Sequence, residues 1–87
     1  MVLSYEIYIR HEVYLVLETV RGSNRAWILN FIESLARDPF RTGNATQRDS
    51  TGRLCQVKTV GRFAVSYYAD HADKEVRIVD LIDAGSA

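Results

Sequence analysis

The strongest candidates for chemistry are four basic residues in the middle of the chain: Arg48, Arg53, Lys58 and Arg62. They lie in a stretch, residues 37 to 62, that holds six basic residues and two acidic ones. Guanidinium groups suit bidentate contact with phosphate. Such residues would hold RNA phosphates and stabilise the charge that develops on a reacting phosphate. A solvated basic face is the alternative, because Arg53 and Lys58 fall on opposite faces of an ideal strand.

The histidines, the cysteine and a tyrosine pair offer further candidates. His71 lies in a polar turn, either as a solvated loop residue or as a general acid or base, since histidine titrates near neutral pH. Neither His71 nor His11 has a second ligand at metal spacing, so we expect no metal. Cys55 is predicted to be a small buried residue rather than a nucleophile. Tyr67 and Tyr68 point to opposite faces of a strand, so one belongs to the core and the other could stack a base or meet a partner.

Length and composition limit the class of protein. The 87 residues predict one domain, residues 1–87. Eleven basic and eleven acidic residues balance, which argues weakly against general nucleic-acid binding, while the local basic patch leaves it open. A single cysteine suits a reducing cytosol. The chain has neither a long apolar stretch nor a signal-peptide start, and no Gly-rich phosphate loop. We expect a cytoplasmic protein without cofactor or membrane contact.

The N-terminal part predicts a strand and a helix. Residues 5–10 alternate, which is typical of a strand with one buried side. Residues 11–20 have apolar side chains at helical spacing, which favours a helix over a continued strand. Gly22 is predicted to cap this helix, and Ser23 or Asn24 to start the next. The apolar positions of the two segments are Tyr5, Ile7 and Ile9, then Val13, Val16, Leu17 and Val20.

The second helix is predicted over residues 24–37. Its apolar stripe consists of Ile28, Phe31, Ile32 and Leu35, widened by Trp27. Pro39 ends the helix, and residues 41–52 are polar and turn-rich, which predicts a connecting loop.

The rest of the chain predicts three strands, residues 54–60, 63–69 and 75–82, joined by short turns into an antiparallel meander. The side chains predicted to share a face are Cys55 with Val57, Leu54 with Gln56 and Lys58, Phe63 with Val65 and Tyr67, Ala64 with Ser66 and Tyr68, Val76 with Ile78, and Arg77 with Val79 and Leu81. The predicted fold is α+β in the order β-α-α-β-β-β. Its two N-terminal helices pack on one face of a small, curved, mainly antiparallel sheet.

Three segments resemble the RelE/ParE superfamily of bacterial toxins from type II toxin–antitoxin systems. The helix end at residues 32–39 resembles a Leu-x-x-x-Pro segment of that family. Residues 60–67, Val-Gly-Arg-Phe-Ala-Val-Ser-Tyr, resemble its Gly-Arg-Tyr-Arg-Val-x-Tyr strand, and residues 75–82 resemble its last strand. The resemblance covers most of the chain and implies the same order of elements.

The resemblance implies three functional alternatives. A RelE-like toxin would be an mRNA interferase, a ribosome-dependent endoribonuclease that inhibits translation. A ParE-like toxin would inhibit DNA gyrase without chemistry of its own, and a chain that has lost activity would only bind its antitoxin. The second arginine of the family's strand motif is Ala64 here, and the closing arginine or tyrosine is absent.

Residues and partners follow for each alternative. As an endoribonuclease the chain would use Arg62, Lys58, Arg77 and His71 in catalysis, and Arg48, Arg53 and Tyr68 to bind RNA or another target. We expect a cognate antitoxin, acidic and partly disordered, on the helix face or the basic sheet face. The other partners would be the ribosome and mRNA, or gyrase, and a homodimer or a hetero-oligomer with the antitoxin is expected.

Overall fold

Two helices and a five-stranded sheet make up residues 4–85, the part of the chain that the computed structural model describes. The elements are β1 Glu6–Ile9, α1 His11–Leu17, α2 Gly22–Arg37, β2 Ala45–Arg48, β3 Leu54–Val60, β4 Phe63–Asp70 and β5 Glu75–Asp83. The strand order is β1-β5-β4-β3-β2, with β1 parallel to β5 and every other pair antiparallel. The predicted α+β fold is confirmed, with one strand more. Residues 1–3 and 86–87 lie outside the described residues.

One hydrophobic core joins both helices to one face of the sheet. The predicted stripe of α2 is buried throughout, with Ile28 and Leu35 fully enclosed. The residues that α1 and the sheet bring to the same core include Val13, Leu17, Phe63, Val65, Tyr67, Val76 and Ile78. The side chains predicted to face inward from β1 pack against it as well. No helix among residues 4–85 has the length and apolar character that a membrane crossing requires.

The helix ends and one aromatic side chain differ from the prediction. The first helix ends at Leu17, and Val20 is buried in the segment that follows. Gly22 does not cap that helix; it begins α2, with a left-handed φ of 64° that suits glycine. Trp27 does not join the buried stripe. It is 52% exposed and lies beside Gly61 in the β3–β4 turn.

The edge strand β2 falls in the segment predicted to be a loop. All four of its residues are exposed, so no alternation of apolar and polar residues marks it in the sequence. Its pairing with β3 begins where the backbone N–H of Asn44 donates to the carbonyl of Val57 at 2.8 Å. Gly43 permits this approach, because a Cβ there would clash with the same carbonyl.

A β-bulge in the β4–β5 pair determines which side chains of β5 face the core. Ser66 lies opposite Asp80, but Tyr67 lies opposite Ile78, so the register shifts by one residue. After this shift Leu81 is buried in the core with Ile78. The predicted face for Leu81 was therefore wrong, because strict alternation continues only as far as the bulge.

Replacing Leu35 by alanine should lower the free energy of unfolding by about 2–5 kcal/mol, since the side chain is fully buried and leaves a cavity. The matched control is Leu15→Ala in α1, where half of the side chain is already exposed; its cost should stay below about 1 kcal/mol. Urea unfolding followed by circular dichroism measures both. Equal losses in the two variants would contradict the described core.

Candidate functional site

The candidate site lies on the face of the sheet opposite the helices, here called the open face. Residues directly opposite each other in a sheet share a face. Tyr68 lies opposite Arg77 across β4 and β5, and Tyr8 lies opposite Arg77 across β1 and β5. Their neighbours Tyr67 and Ile78 face the core, so Tyr8, Tyr68 and Arg77 all belong to the open face.

Arginine and tyrosine side chains alternate across this face in what we call the Arg–Tyr row: Arg53, Tyr68, Arg77 and Tyr8. The guanidinium carbon of Arg53 lies 4.3 Å from the centre of the Tyr68 ring, and that of Arg77 lies 5.3 Å from the centre of the Tyr8 ring. Both distances suit cation–π contact. The row therefore presents cationic groups and flat surfaces together, which is the chemistry that single-stranded nucleic acids require.

The cation of Arg77 is fixed by an ion pair. Its guanidinium donates to the carboxylate of Glu75 at 2.7 Å, and this hydrogen bond raises the pKa of Arg77 further. The hydrogen bond that Tyr8 donates to Glu6 likewise raises the pKa of the phenol. Arg77 can therefore stabilise negative charge, but it does not supply or accept a proton near neutral pH.

A cavity of about 350 Å³ lies on the open face beside the row. Cys55 and Ser66 are buried at its floor, and Gln47, Arg10 and Asp80 contribute to its walls. The predicted burial of Cys55 is confirmed, and burial raises the pKa of its thiol. Unlike the residues of the hydrophobic core, Cys55 is buried on the open face of the sheet, opposite Gln47 of β2.

Two of the predicted catalytic residues lie away from the open face. Arg62, in the β3–β4 turn, is clamped to Asp83 by two hydrogen bonds of 3.0 and 2.7 Å. Its carbonyl also accepts a hydrogen bond from Ala84 at 2.8 Å. Lys58 lies opposite Val65, a core residue, so its side chain projects to the helix side. The fold does not bring Lys58 or Arg62 together with Arg77.

His71 and Arg48 do not belong to the row either, although Arg48 lines the cavity beside it and His71 lines a groove together with Tyr68. The ring of His71 stacks on Phe40 at 4.5 Å, and its Nδ1 lies 2.9 Å from the hydroxyl of Tyr5. His71 follows β4 and Arg62 precedes it, so about 25–30 Å of extended strand separates them. Arg48 donates to the carbonyl of Gly52 at 2.8 Å and closes the β2–β3 turn.

Of the residues predicted as functional, the fold assembles Arg53, Tyr68 and Arg77. The prediction missed Tyr8 and Asp80. The alternation of residues 5–10 does place Tyr8 on the polar side of β1, but the parallel pairing of β1 with β5, which brings it to Arg77, leaves no mark in the sequence. The β-bulge that turns Asp80 to the open face likewise leaves no mark in the sequence.

The carboxylates of Asp70, Asp73 and Glu75 form the group that comes nearest to a metal site among the described residues, with oxygens within 4.8 Å of one another. Asp70 accepts hydrogen bonds from the backbone of Ala72 and Asp73 at 3.1 Å. Glu75 is paired with Arg77. Asp70 therefore caps the turn and Glu75 belongs to an ion pair, so these contacts explain why the carboxylates lie close together.

Comparison with solved structures supports the RelE-like fold. A chain of the archaeal RelE–RelB complex from Pyrococcus horikoshii superposes with a TM-score of 0.78 and 20% identity, over 97% of this chain and 99% of that one. A chain of the toxin–antitoxin complex RelBE2 from Mycobacterium tuberculosis gives a TM-score of 0.77 at 17% identity, over 99% and 98%. No protein-family model and no curated protein sequence matches this chain. The likeness is therefore one of fold.

The clamp between Arg62 and Asp83 should be visible in a titration. The hydrogen bonds from Arg62 lower the pKa of the Asp83 carboxyl. Any stability that Asp83 contributes is therefore present above its unfolded pKa and lost as the pH falls through the folded pKa. In Arg62→Gln, the pKa of Asp83 should rise toward the ordinary value for aspartate in a carboxyl-detected NMR titration. The matched variant Arg77→Gln should leave it unchanged, and an unchanged value in Arg62→Gln would contradict the clamp.

Proposed function

We propose that this chain is the toxin of a toxin–antitoxin pair and that it stops translation by binding and cleaving mRNA on its open face. The fold supports the first part, because the two solved structures compared above are named as complexes of this kind. The Arg–Tyr row is the observation that supports the second part. Within residues 4–85, no comparable group of side chains favours gyrase as the target.

The row suits a single RNA strand that runs across the sheet. Arg53, directly before β3, and Arg77 of β5 flank Tyr68, and these two strands are two strand spacings, about 10 Å, apart. Their guanidinium groups would bind successive phosphates. The guanidinium of Arg53, which lies over the ring of Tyr68, provides a surface on which an unpaired base can stack.

The same two arginines account for cleavage. In RNA cleavage the 2′-oxygen attacks the neighbouring phosphorus, a new O–P bond forms, and the bond from phosphorus to the 5′-oxygen breaks. The 2′-hydroxyl proton passes to solvent, and solvent protonates the leaving oxygen. Arg77 remains charged throughout and stabilises the added negative charge on the reacting phosphate in the transition state, while Arg53 holds the neighbouring phosphate in place. This proposal assigns no catalytic role to Arg62, Lys58 or His71.

Expression of the chain should stop methionine incorporation promptly while thymidine incorporation continues. The double variant Arg53→Gln and Arg77→Gln should abolish the arrest, since it removes both guanidinium groups of the row. The matched double variant Lys58→Gln and Arg62→Gln removes the same charge elsewhere and should keep the arrest. Primer extension on cellular mRNA then distinguishes cleavage from binding alone.

A loss of DNA synthesis with intact translation would contradict this proposal and favour gyrase as the target. An arrest that depends on Lys58 and Arg62, and not on the row, would also contradict it and place the functional site away from the open face.

The proposed antitoxin should cover the open face with an acidic segment. Coexpression with the protein encoded beside this chain should yield a stable complex on purification, because acidic side chains complement Arg53 and Arg77. Isothermal titration should show affinity falling as salt rises, and falling further in the Arg53 and Arg77 double variant. Recovery of the chain without any partner would count against the pair.

A further inference from the structure

The cavity beside the Arg–Tyr row takes no part in the phosphate and stacking contacts of the proposed function. Its volume of about 350 Å³ lies in the range of sites for small ligands. Its floor consists of small side chains, Cys55 and Ser66, which leave a depression in the middle of the sheet. Arg10 and Val79 line both this cavity and the groove beside Tyr8 and Arg77, so the cavity continues directly into the row.

Polar groups with spare hydrogen-bonding capacity converge on this cavity. One carboxylate oxygen of Asp80 accepts from the backbone N–H of Leu81 at 2.9 Å. Within residues 4–85 the structure records no bond to the other oxygen, and none for the side chains of Gln47 and Ser66. The ion pair of Arg10 with Glu12 is loose, at 3.8 Å. A concave site with a few polar groups that are free to bond a ligand is typical of a binding site.

The β-bulge is what brings Asp80 to this cavity. In an unbroken strand, residue 80 would share the helix face with Val76 and Ile78. The register shift between Ser66 and Tyr67 turns Asp80 to the open face instead, opposite Ser66. Bulges that re-aim a side chain are common beside functional sites.

We propose that this cavity binds one base of the RNA strand and that Asp80 makes it selective for guanine. The inference rests on the proposed function, since the base would belong to the strand held by the row. Guanine presents two adjacent N–H donors, N1–H and the exocyclic amine, to which a carboxylate can bind with both oxygens. Adenine and uracil present a hydrogen-bond acceptor within the same edge, which repels a carboxylate. Gln47 and Ser66 are placed to bond the remaining polar atoms of the base.

The test compares two five-nucleotide RNAs that differ in one group. The probes are UUGUU and the same sequence with inosine for guanosine, which removes only the exocyclic amine. Every nucleotide carries a 2′-O-methyl group, so that no cleavage occurs. Fluorescence anisotropy with the full chain should show roughly tenfold weaker binding of the inosine probe, since a good bidentate pair discriminates by at least that order.

Asp80→Asn should abolish the difference between the probes, because an amide pairs poorly with two donors. The asparagine oxygen can keep the bond to Leu81, so the bulge is retained. Glu12→Gln is the matched control: it also removes one carboxylate from the cavity lining and should keep the preference for guanine.

Equal binding of the two probes by the unaltered chain would overturn the inference, and that comparison requires no variant. If the equal binding still depends on Arg53 and Arg77, the proposed function stands and only the guanine site fails. If neither probe binds, RNA binding by the row fails as well.

Discussion

The pairing of β4 with β5 is the constraint on which both faces of this sheet depend. On one side it aligns Tyr67 with Ile78 under the helices; on the other it aligns Tyr68 with Arg77. The bulge between these two registers lets Leu81 enter the core while Asp80 faces outward. Without it, a charged side chain would be buried among apolar ones at a high energetic cost. The arrangement of the candidate site therefore follows from the packing of the core.

The ion pairs decide which arginines are free to act. Arg62 is the arginine that the sequence resemblance singles out, yet Asp83 binds one edge of its guanidinium, Nε and one Nη, with both carboxylate oxygens. Arg53 has an aromatic ring beneath it and makes no ion pair within residues 4–85. A phosphate that binds Arg62 through Nε would have to displace Asp83. Arg53 makes no such pair, and Arg77 gives one nitrogen to Glu75 and keeps its other donors. The ion-pair partners that the fold gives to each arginine therefore determine which of them can bind an anion.

The helices, the buried stripe of α2 and the meander could be predicted, because each has its own period in the sequence. The features that the sequence did not predict depend on pairing between residues that lie far apart in the chain. The register shift moved Leu81 to the other face. The exposed edge strand β2 has no apolar signal. Asp83 stands 21 residues from Arg62, so the clamp is set by the hairpin and β5 together. For the candidate site, Arg53, Tyr68 and Arg77 could be proposed from residue type, but Tyr8 requires knowledge of the parallel β1–β5 pair.

The central claim, that RNA meets the open face through the Arg–Tyr row, is tested most directly by NMR on the full chain with arginine side chains labelled at Nε. Addition of a short, 2′-O-methylated oligouridine should shift the signals of Arg53 and Arg77, together with the amide of Tyr68. The signal of Arg62 should stay in place, held by Asp83. Shifts confined to Arg62 and the neighbourhood of Lys58, with the row unchanged, would contradict the account.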